Sequence, residues 1–97
     1  MKGRKGGADI DAAIQRYLWS DFQQRNMPKG IERIRMTFTE LERRTGLSRR
    51  TISYQLQAKG AAVSIKFIYA YAKAVGTKPD SFIKKMMNSL KNQGEIE

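Results

Sequence analysis

The sequence predicts an all-α protein built from five helices. Apolar residues recur every three or four positions along most of its 97 residues, which is the helical period. Residues that favour helix ends flank these runs: Thr37, Ser48 and Ser64 before them, and Gly46, Gly60 and Gly76 after them. With 40% hydrophobic residues, the chain can bury one modest core, so we expect a single compact domain over residues 9–91.

The first helix is predicted over residues 9–26. Its apolar stripe has a four-residue spacing, with one aromatic residue beside it: Ile10, Ile14, Leu18 and Phe22, and then Tyr17. Trp19 lies off this stripe, and we expect it to be partly buried. Pro28 and Gly30 then interrupt the pattern, so residues 27–35 are predicted to form a loop, with a short extended piece as the alternative.

Two short helices joined by a glycine turn are predicted over residues 37–58. Thr37 is the expected N-cap of the second helix, and Glu40 is its capping-box partner. That helix is expected to end at Gly46, where a left-handed residue suits the turn. Ser48 is the expected N-cap of the third helix, which is predicted to run to about Ala58.

Two further helices complete the predicted domain. The fourth runs from Ser64 to Val75, and its predicted inward stripe comprises Ile65, Ile68, Ala72 and Val75. The fifth opens within residues 77–80, where Pro79 suits the first turn. Its apolar side comprises Phe82, Ile83, Met86 and Leu90, with Met87 at the edge. Residues 92–97 are expected to fray.

The charge balance points to a polyanion partner. The chain has nineteen Lys and Arg residues and nine Asp and Glu residues, which gives a net charge of +10. This charge favours nucleic acid as the partner. All nine arginines lie at or before Arg50, and every later basic residue is Lys. Because arginine binds phosphates and guanine edges with a planar fork, the first half is the expected recognition half.

The composition excludes several classes of chemistry. The chain has no Cys and no His, so disulfides, Cys/His zinc sites and His-based catalysis are excluded. The carboxylates of the first half form no recognisable metal cluster, so we predict no enzyme activity, no metal and no cofactor. No apolar run approaches the roughly 20 residues of a membrane span. We therefore expect no membrane partner and a cytoplasmic location.

The third helix carries the chemistry expected of a DNA-reading element. Ile52 and Leu56 define its buried side at about 100° per residue, which places Arg50 and Tyr54 almost opposite. Arg49 falls toward the buried side but occupies the first turn, from which a side chain can reach past the helix end. A helix docked by its N-terminal half is predicted to present four residues to base edges in the major groove: Arg49, Arg50, Ser53 and Tyr54.

Contacts to the DNA backbone are predicted from residues around this helix. The predicted set comprises Thr37, Phe38, Arg43, Arg44, Ser48, Thr51, Gln57 and Lys59. Residues 1–8 are predicted to be a flexible arm whose Lys2, Arg4 and Lys5 lie along phosphates or in a minor groove. The alternatives are an ordinary solvated polar face and a tail without a role.

The sequence resembles a known family over about residues 9–90. Residues 37–48, T-x-x-E-L-x-x-x-T-G-L-S, followed by R-R-T-I-S, resemble the helix-turn-helix of lambda-repressor/Cro-like (Xre-type) regulators. The match continues in residues 64–83, where A-x-A-x-A-V-G-T-x-P-D-S-F-I resembles the fourth helix, the turn and the fifth helix of that family. The resemblance implies a compact five-helix domain with base contacts from Arg49, Arg50 and Tyr54. Glu42 departs from the small Ala that is usual in the family, and Phe38 departs from its common Gln.

The favoured function is a sequence-specific regulator that binds double-stranded DNA. A repressor that occludes promoter DNA, of the phage immunity or Cro-like kind, fits these features. The alternative is an antitoxin-type or other protein-interaction module that binds an acidic partner. Homodimers are expected through the fifth helix, with a surface of Phe82, Met86, Met87 and Leu90. Equally, that stripe could close the core of its own domain.

Overall fold

Five α-helices form the regular structure of residues 7–26 and 36–94, the parts of the chain that the computed structural model describes. They are α1 (Gly7–Asn26), α2 (Phe38–Thr45), α3 (Arg49–Gln57), α4 (Ile65–Ala74) and α5 (Pro79–Asn92). These residues contain no strand, so the all-α prediction is confirmed for them. The predicted loop at 27–35 and the arm cations Lys2, Arg4 and Lys5 lie outside the described residues.

Helix α1 begins at Gly7, two residues before the predicted start, so the predicted arm of residues 1–8 overlaps it. Leu18 and Phe22 are buried in the core, as their spacing predicts. Trp19 is partly buried and stacks on Phe22 with ring centroids 5.7 Å apart, which confirms its expected placement.

Three hydroxyl side chains cap the N-terminal ends of α2, α3 and α4, as predicted. Thr37 accepts a hydrogen bond from the Glu40 amide at 3.1 Å, and Ser48 accepts one from the Thr51 amide at 3.1 Å. Ser64 does the same for the Phe67 amide at 2.9 Å. The predicted capping box of α2 is only half formed, because the Glu40 carboxylate accepts hydrogen bonds from Arg43 and Arg44.

The turn between α2 and α3 depends on Gly46. Its φ of 78° lies in the left-handed region, and its amide donates to the Glu42 carbonyl at 2.9 Å. An L side chain is strained in this conformation, whereas glycine adopts it freely. The predicted helix end at Gly46 is therefore confirmed, and only residues 46–48 separate the two helices.

All five helices contribute to one hydrophobic core. α3 contacts both α1 and α2, while α5 contacts α1 and α4, and α2 also contacts α4. The most deeply buried large side chains come from every helix: Leu18, Phe22, Leu41, Ile52, Leu56, Tyr71, Met86 and Leu90. Helix α3 therefore lies on a platform of α1 and α2, which fixes the direction of its remaining face.

Part of the inward-facing stripe predicted for α4 is wrong. Ile68 and Ala72 are buried as expected, but the Ile65 side chain is 60% exposed. Phe67 and Tyr71 occupy the interior instead. The segment IKFIYAYAKA is apolar almost all round, so its periodicity does not select one face, and the bulkier rings fill the core.

Most of the dimer surface predicted on α5 is buried within its own chain. Phe82, Met86 and Leu90 are only 5%, 1% and 2% exposed, because they pack into the core of their own chain. The alternative, in which this stripe closes the domain, is confirmed for these three residues. Met87 is partly buried against the same core.

Within the described residues, no helix combines the length and apolarity needed to cross a bilayer.

Candidate nucleic-acid interface

Helix α3 has one buried side and one exposed polar side. Ile52 and Leu56 are 0% and 1% exposed, whereas Arg50 is exposed and Tyr54 is 53% exposed. The helical period places Arg50, Tyr54 and Gln57 within about 60° of one another, opposite the two buried residues. We call these three residues the outer face of α3. The sequence prediction for this side of the helix is thus confirmed as far as exposure is concerned.

The guanidinium of Arg50 has no hydrogen bond or ion pair to another residue in the described part of the chain. Nearby, the Ser53 hydroxyl donates to Oε1 of Gln57 at 3.0 Å, and Ser53 itself is only partly exposed. Helix α3 contains no acidic residue. The outer face therefore combines a cation with an aromatic hydroxyl and an amide, without a carboxylate of its own helix to neutralise it.

Arg49 lies apart from Arg50, against helix α2. Its Nη2 donates to Oγ1 of Thr39 at 2.7 Å, and its Nε lies 3.8 Å from Oε1 of Glu42. Its Cζ lies 5.7 Å from the centre of the Phe38 ring, within the range of a cation–π contact. The structure thus separates two arginines that the sequence predicts to share one set of base contacts.

Both ends of α3 are anchored to neighbouring helices. At its start, Oε2 of Glu42 accepts a hydrogen bond from the Arg49 amide at 2.8 Å. The positive end of the helix dipole also stabilises a carboxylate at this position. At its other end, Nε2 of Gln15 donates to the carbonyls of Gln55 and Ala58, each at 3.0 Å. Gln15 lies at least 40 positions away in sequence and shows no local signal of this role.

Apart from Gln57, which lies on the outer face of α3, the predicted backbone contacts fall into two groups. The first consists of residues that cap helices or pack between them. Thr37 and Ser48 are N-caps, and the Ser48 hydroxyl also donates to that of Thr51 at 3.1 Å. Phe38 is half-buried, with its ring centroid 5.0 Å from that of Phe22 and 6.5 Å from that of Trp19. Phe38 therefore belongs largely to the packing between α1 and α2.

The second group contains the cations Arg43, Arg44 and Lys59. Arg43 is 70% exposed and pairs with Glu40, and Lys59 is exposed. Arg44 is held more closely, because its Nη1 donates to the Ala74 carbonyl and its Nε to Oε2 of Glu40, each at 2.7 Å. The hydrogen bonds from Arg43 and Arg44 lower the pKa of Glu40 below its ordinary value. Lys59 and Arg43 thus remain the more accessible cations of this group.

No group of three or more acidic side chains that could hold a metal ion occurs in the described residues. The chain matches no protein-family model, no curated protein and no solved structure. The resemblance to lambda-repressor/Cro-like regulators therefore stays a prediction from sequence motifs.

Proposed function

We propose that this chain is a transcriptional regulator that binds specific double-stranded DNA sequences and places α3 in the major groove. The observation that carries the proposal is the two-sided character of α3. Ile52 and Leu56 hold it on the core, while the outer face of Arg50, Tyr54 and Gln57 is directed away. In this proposal α2, the turn at Gly46 and α3 act as a helix-turn-helix.

The size and chemistry of α3 fit this role. An α-helix with its side chains is about 10–12 Å across, and the major groove is about 12 Å wide. Because the Arg50 guanidinium is not engaged within the described chain, its fork is free to bond O6 and N7 of a guanine. Tyr54 can contact a thymine methyl group or donate through its hydroxyl.

Phosphate contacts would come from the surroundings of α3. The exposed Lys59 follows its C-terminal end, and Arg43 lies on α2. The net charge of +10 supplies a general attraction to the DNA backbone. Occupying a promoter blocks polymerase without any activity beyond binding, so repression by occlusion is the regulatory outcome we propose.

The direct test is selection of bound duplexes from a random pool with the full chain. We expect an enriched consensus, because the outer face of α3 carries groups that distinguish base edges. A palindromic consensus would support binding as a dimer, and a single asymmetric site would support a monomer. Recovery of no sequence above the starting pool would overturn the proposed function.

Arg50→Ala tests the base-reading role at a single residue. We expect this change to weaken binding to the selected duplex by about 1–3 kcal/mol and to relax the preference at one base pair. Lys84→Ala, on the exposed side of α5, removes the same charge and is the matched control. Titrations on selected and random duplexes at one salt concentration measure both effects. An equal loss on the two duplexes would make Arg50 a phosphate ligand only.

A further inference from the structure

An ion pair joins the first residue of α3 to the middle of α2. Glu42 approaches the Arg49 side chain at 3.8 Å and accepts the Arg49 amide hydrogen bond with its other oxygen at 2.8 Å. Glu42 is 38% exposed and Arg49 is 57% exposed, so the pair lies at the surface beside the outer face of α3. The guanidinium is also fixed by Thr39 and by the ring of Phe38.

We propose that Glu42 withholds Arg49 from DNA and thereby lowers the affinity of the chain for duplexes of any sequence. This inference rests on the proposed function and deepens it. In this arrangement Arg50 is the base-reading arginine of the pair, and Arg49 is a positioning residue that docks α3 on α2. Glu42 then sets the ratio of specific to non-specific binding, because attraction to phosphate alone carries no sequence information.

The charges around α3 support this assignment. Within the described residues, Glu42 is the only acidic side chain that forms a hydrogen bond or ion pair with α3, and Glu40 pairs instead with Arg43 and Arg44 on its own helix. The Glu42 carboxylate offsets the charge of Arg49, whereas Arg50 has no such partner in the part of the chain that the structure describes. Without the carboxylate, only the uncharged Thr39 hydroxyl and the Phe38 ring would hold the guanidinium, and a phosphate, as an anionic acceptor, competes well against such partners.

A Glu42→Gln variant separates the charge from the hydrogen bond. A glutamine oxygen can still accept the Arg49 amide, so the start of α3 keeps its anchor while the ion pair is lost. Asp80→Asn changes the net charge by the same amount at a distant place. Asp80 lies in the first turn of α5, where it accepts a hydrogen bond from the Tyr69 hydroxyl.

The experiment measures binding of the full chain to a random-sequence duplex over a series of salt concentrations. We expect Glu42→Gln to raise the affinity by about fivefold at 0.1 M salt and to steepen the log–log salt slope by about 0.9, as one added phosphate contact does. Asp80→Asn should change the affinity less than twofold. Adding Arg49→Ala to Glu42→Gln should abolish the gain, because the released cation is then missing.

An unchanged affinity of Glu42→Gln would overturn the inference. So would a gain that Asp80→Asn reproduces, or a gain that persists without Arg49. Arg49→Ala alone gives a further test that does not depend on Glu42 variants. We expect it to weaken random-duplex binding less than twofold, and a fivefold loss would show that Arg49 reaches DNA despite Glu42. Failure of the proposed function is distinct, because it appears as a wild-type chain that selects no sequence.

Discussion

At the scale of single residues, the neighbouring arginines Arg43 and Arg44 have different roles. Arg44 reaches from α2 to the Ala74 carbonyl at the end of α4, which couples two helices through one charged hydrogen bond. Among the described residues, Arg43 pairs with Glu40 on its own helix alone, and it is 70% exposed. Exposed pairs of that kind contribute little to stability, whereas a hydrogen bond from a charged group to a half-buried carbonyl contributes more.

Arg44→Ala is therefore expected to lower the free energy of unfolding by about 1–2 kcal/mol, because the Ala74 carbonyl loses its donor. Urea denaturation followed by circular dichroism measures this change. Arg43→Ala is the matched control, and we expect it to alter the free energy of unfolding by less than about 0.5 kcal/mol. Equal effects of the two substitutions would contradict a coupling role for Arg44.

Residue-scale prediction from sequence succeeds where the determining interaction is local. The exposure of Arg50 and Tyr54 follows from the helical period relative to Ile52 and Leu56, and the structure agrees. The partners of Arg44 do not follow, because one of them lies 30 positions away. The placement of Arg49 against Thr39 likewise depends on how α2 and α3 pack, which no local pattern specifies.

At the scale of elements, α3 is held by polar contacts at both ends and by apolar packing in the middle. Gln15 on α1 supplies the contact at the C-terminal end, where Nε2 donates to the carbonyls of Gln55 and Ala58. The Gln55 carbonyl has no partner further along the helix, since α3 ends at Gln57, whereas the Ala58 carbonyl also accepts the Ala61 amide at 3.1 Å. A single amide side chain thus bonds two carbonyls and fixes the end of α3 on α1.

Gln15→Ala should destabilise the fold by about 1–2 kcal/mol, because the half-buried Gln55 carbonyl loses its donor and the Ala58 carbonyl keeps only the Ala61 amide. Thermal and urea denaturation measure the loss, and hydrogen exchange of the last α3 amides should become faster. Gln23→Ala, at an exposed position of the same helix, is the control. If the two variants had the same stability, the anchor would have no energetic role.

Element boundaries were predictable here because caps are local signals. Thr37, Ser48 and Ser64 each accept the hydrogen bond expected from their position before an apolar run. Orientation of an element is harder to predict when most of its faces are apolar. The prediction that Ile65 of α4 points inward is therefore wrong, because the tertiary packing places Phe67 and Tyr71 in the interior instead.

At the scale of the whole molecule, one buried hydroxyl joins α4 to α1. Tyr71 is 0% exposed, and its hydroxyl donates to Oδ2 of Asp21 at 2.6 Å. The same oxygen accepts a hydrogen bond from Nε of Arg25 at 2.6 Å. Burial, and next the hydrogen bond to Asp21, raise the pKa of Tyr71 well above its ordinary value. The interior thus contains a titratable group that strongly favours its protonated form.

This raised pKa predicts alkaline destabilisation. The folded chain keeps the Tyr71 proton at pH values where the unfolded chain releases it, near pH 10 and above. The contribution to stability is fully present below about pH 10, and it falls by up to about 1.4 kcal/mol per pH unit above that value.

Tyr71→Phe removes the titratable proton together with its hydrogen bond. At pH 7 we expect the free energy of unfolding to be lower than in the wild type by about 1.5–3 kcal/mol, since Asp21 loses a donor. Between pH 10 and 11 the variant should lose stability less steeply, so the two curves converge. Urea denaturation from pH 8 to 11 measures both effects, with Tyr54→Phe on the exposed side of α3 as the control. Parallel curves for the wild type and Tyr71→Phe would mean that another group governs alkaline unfolding.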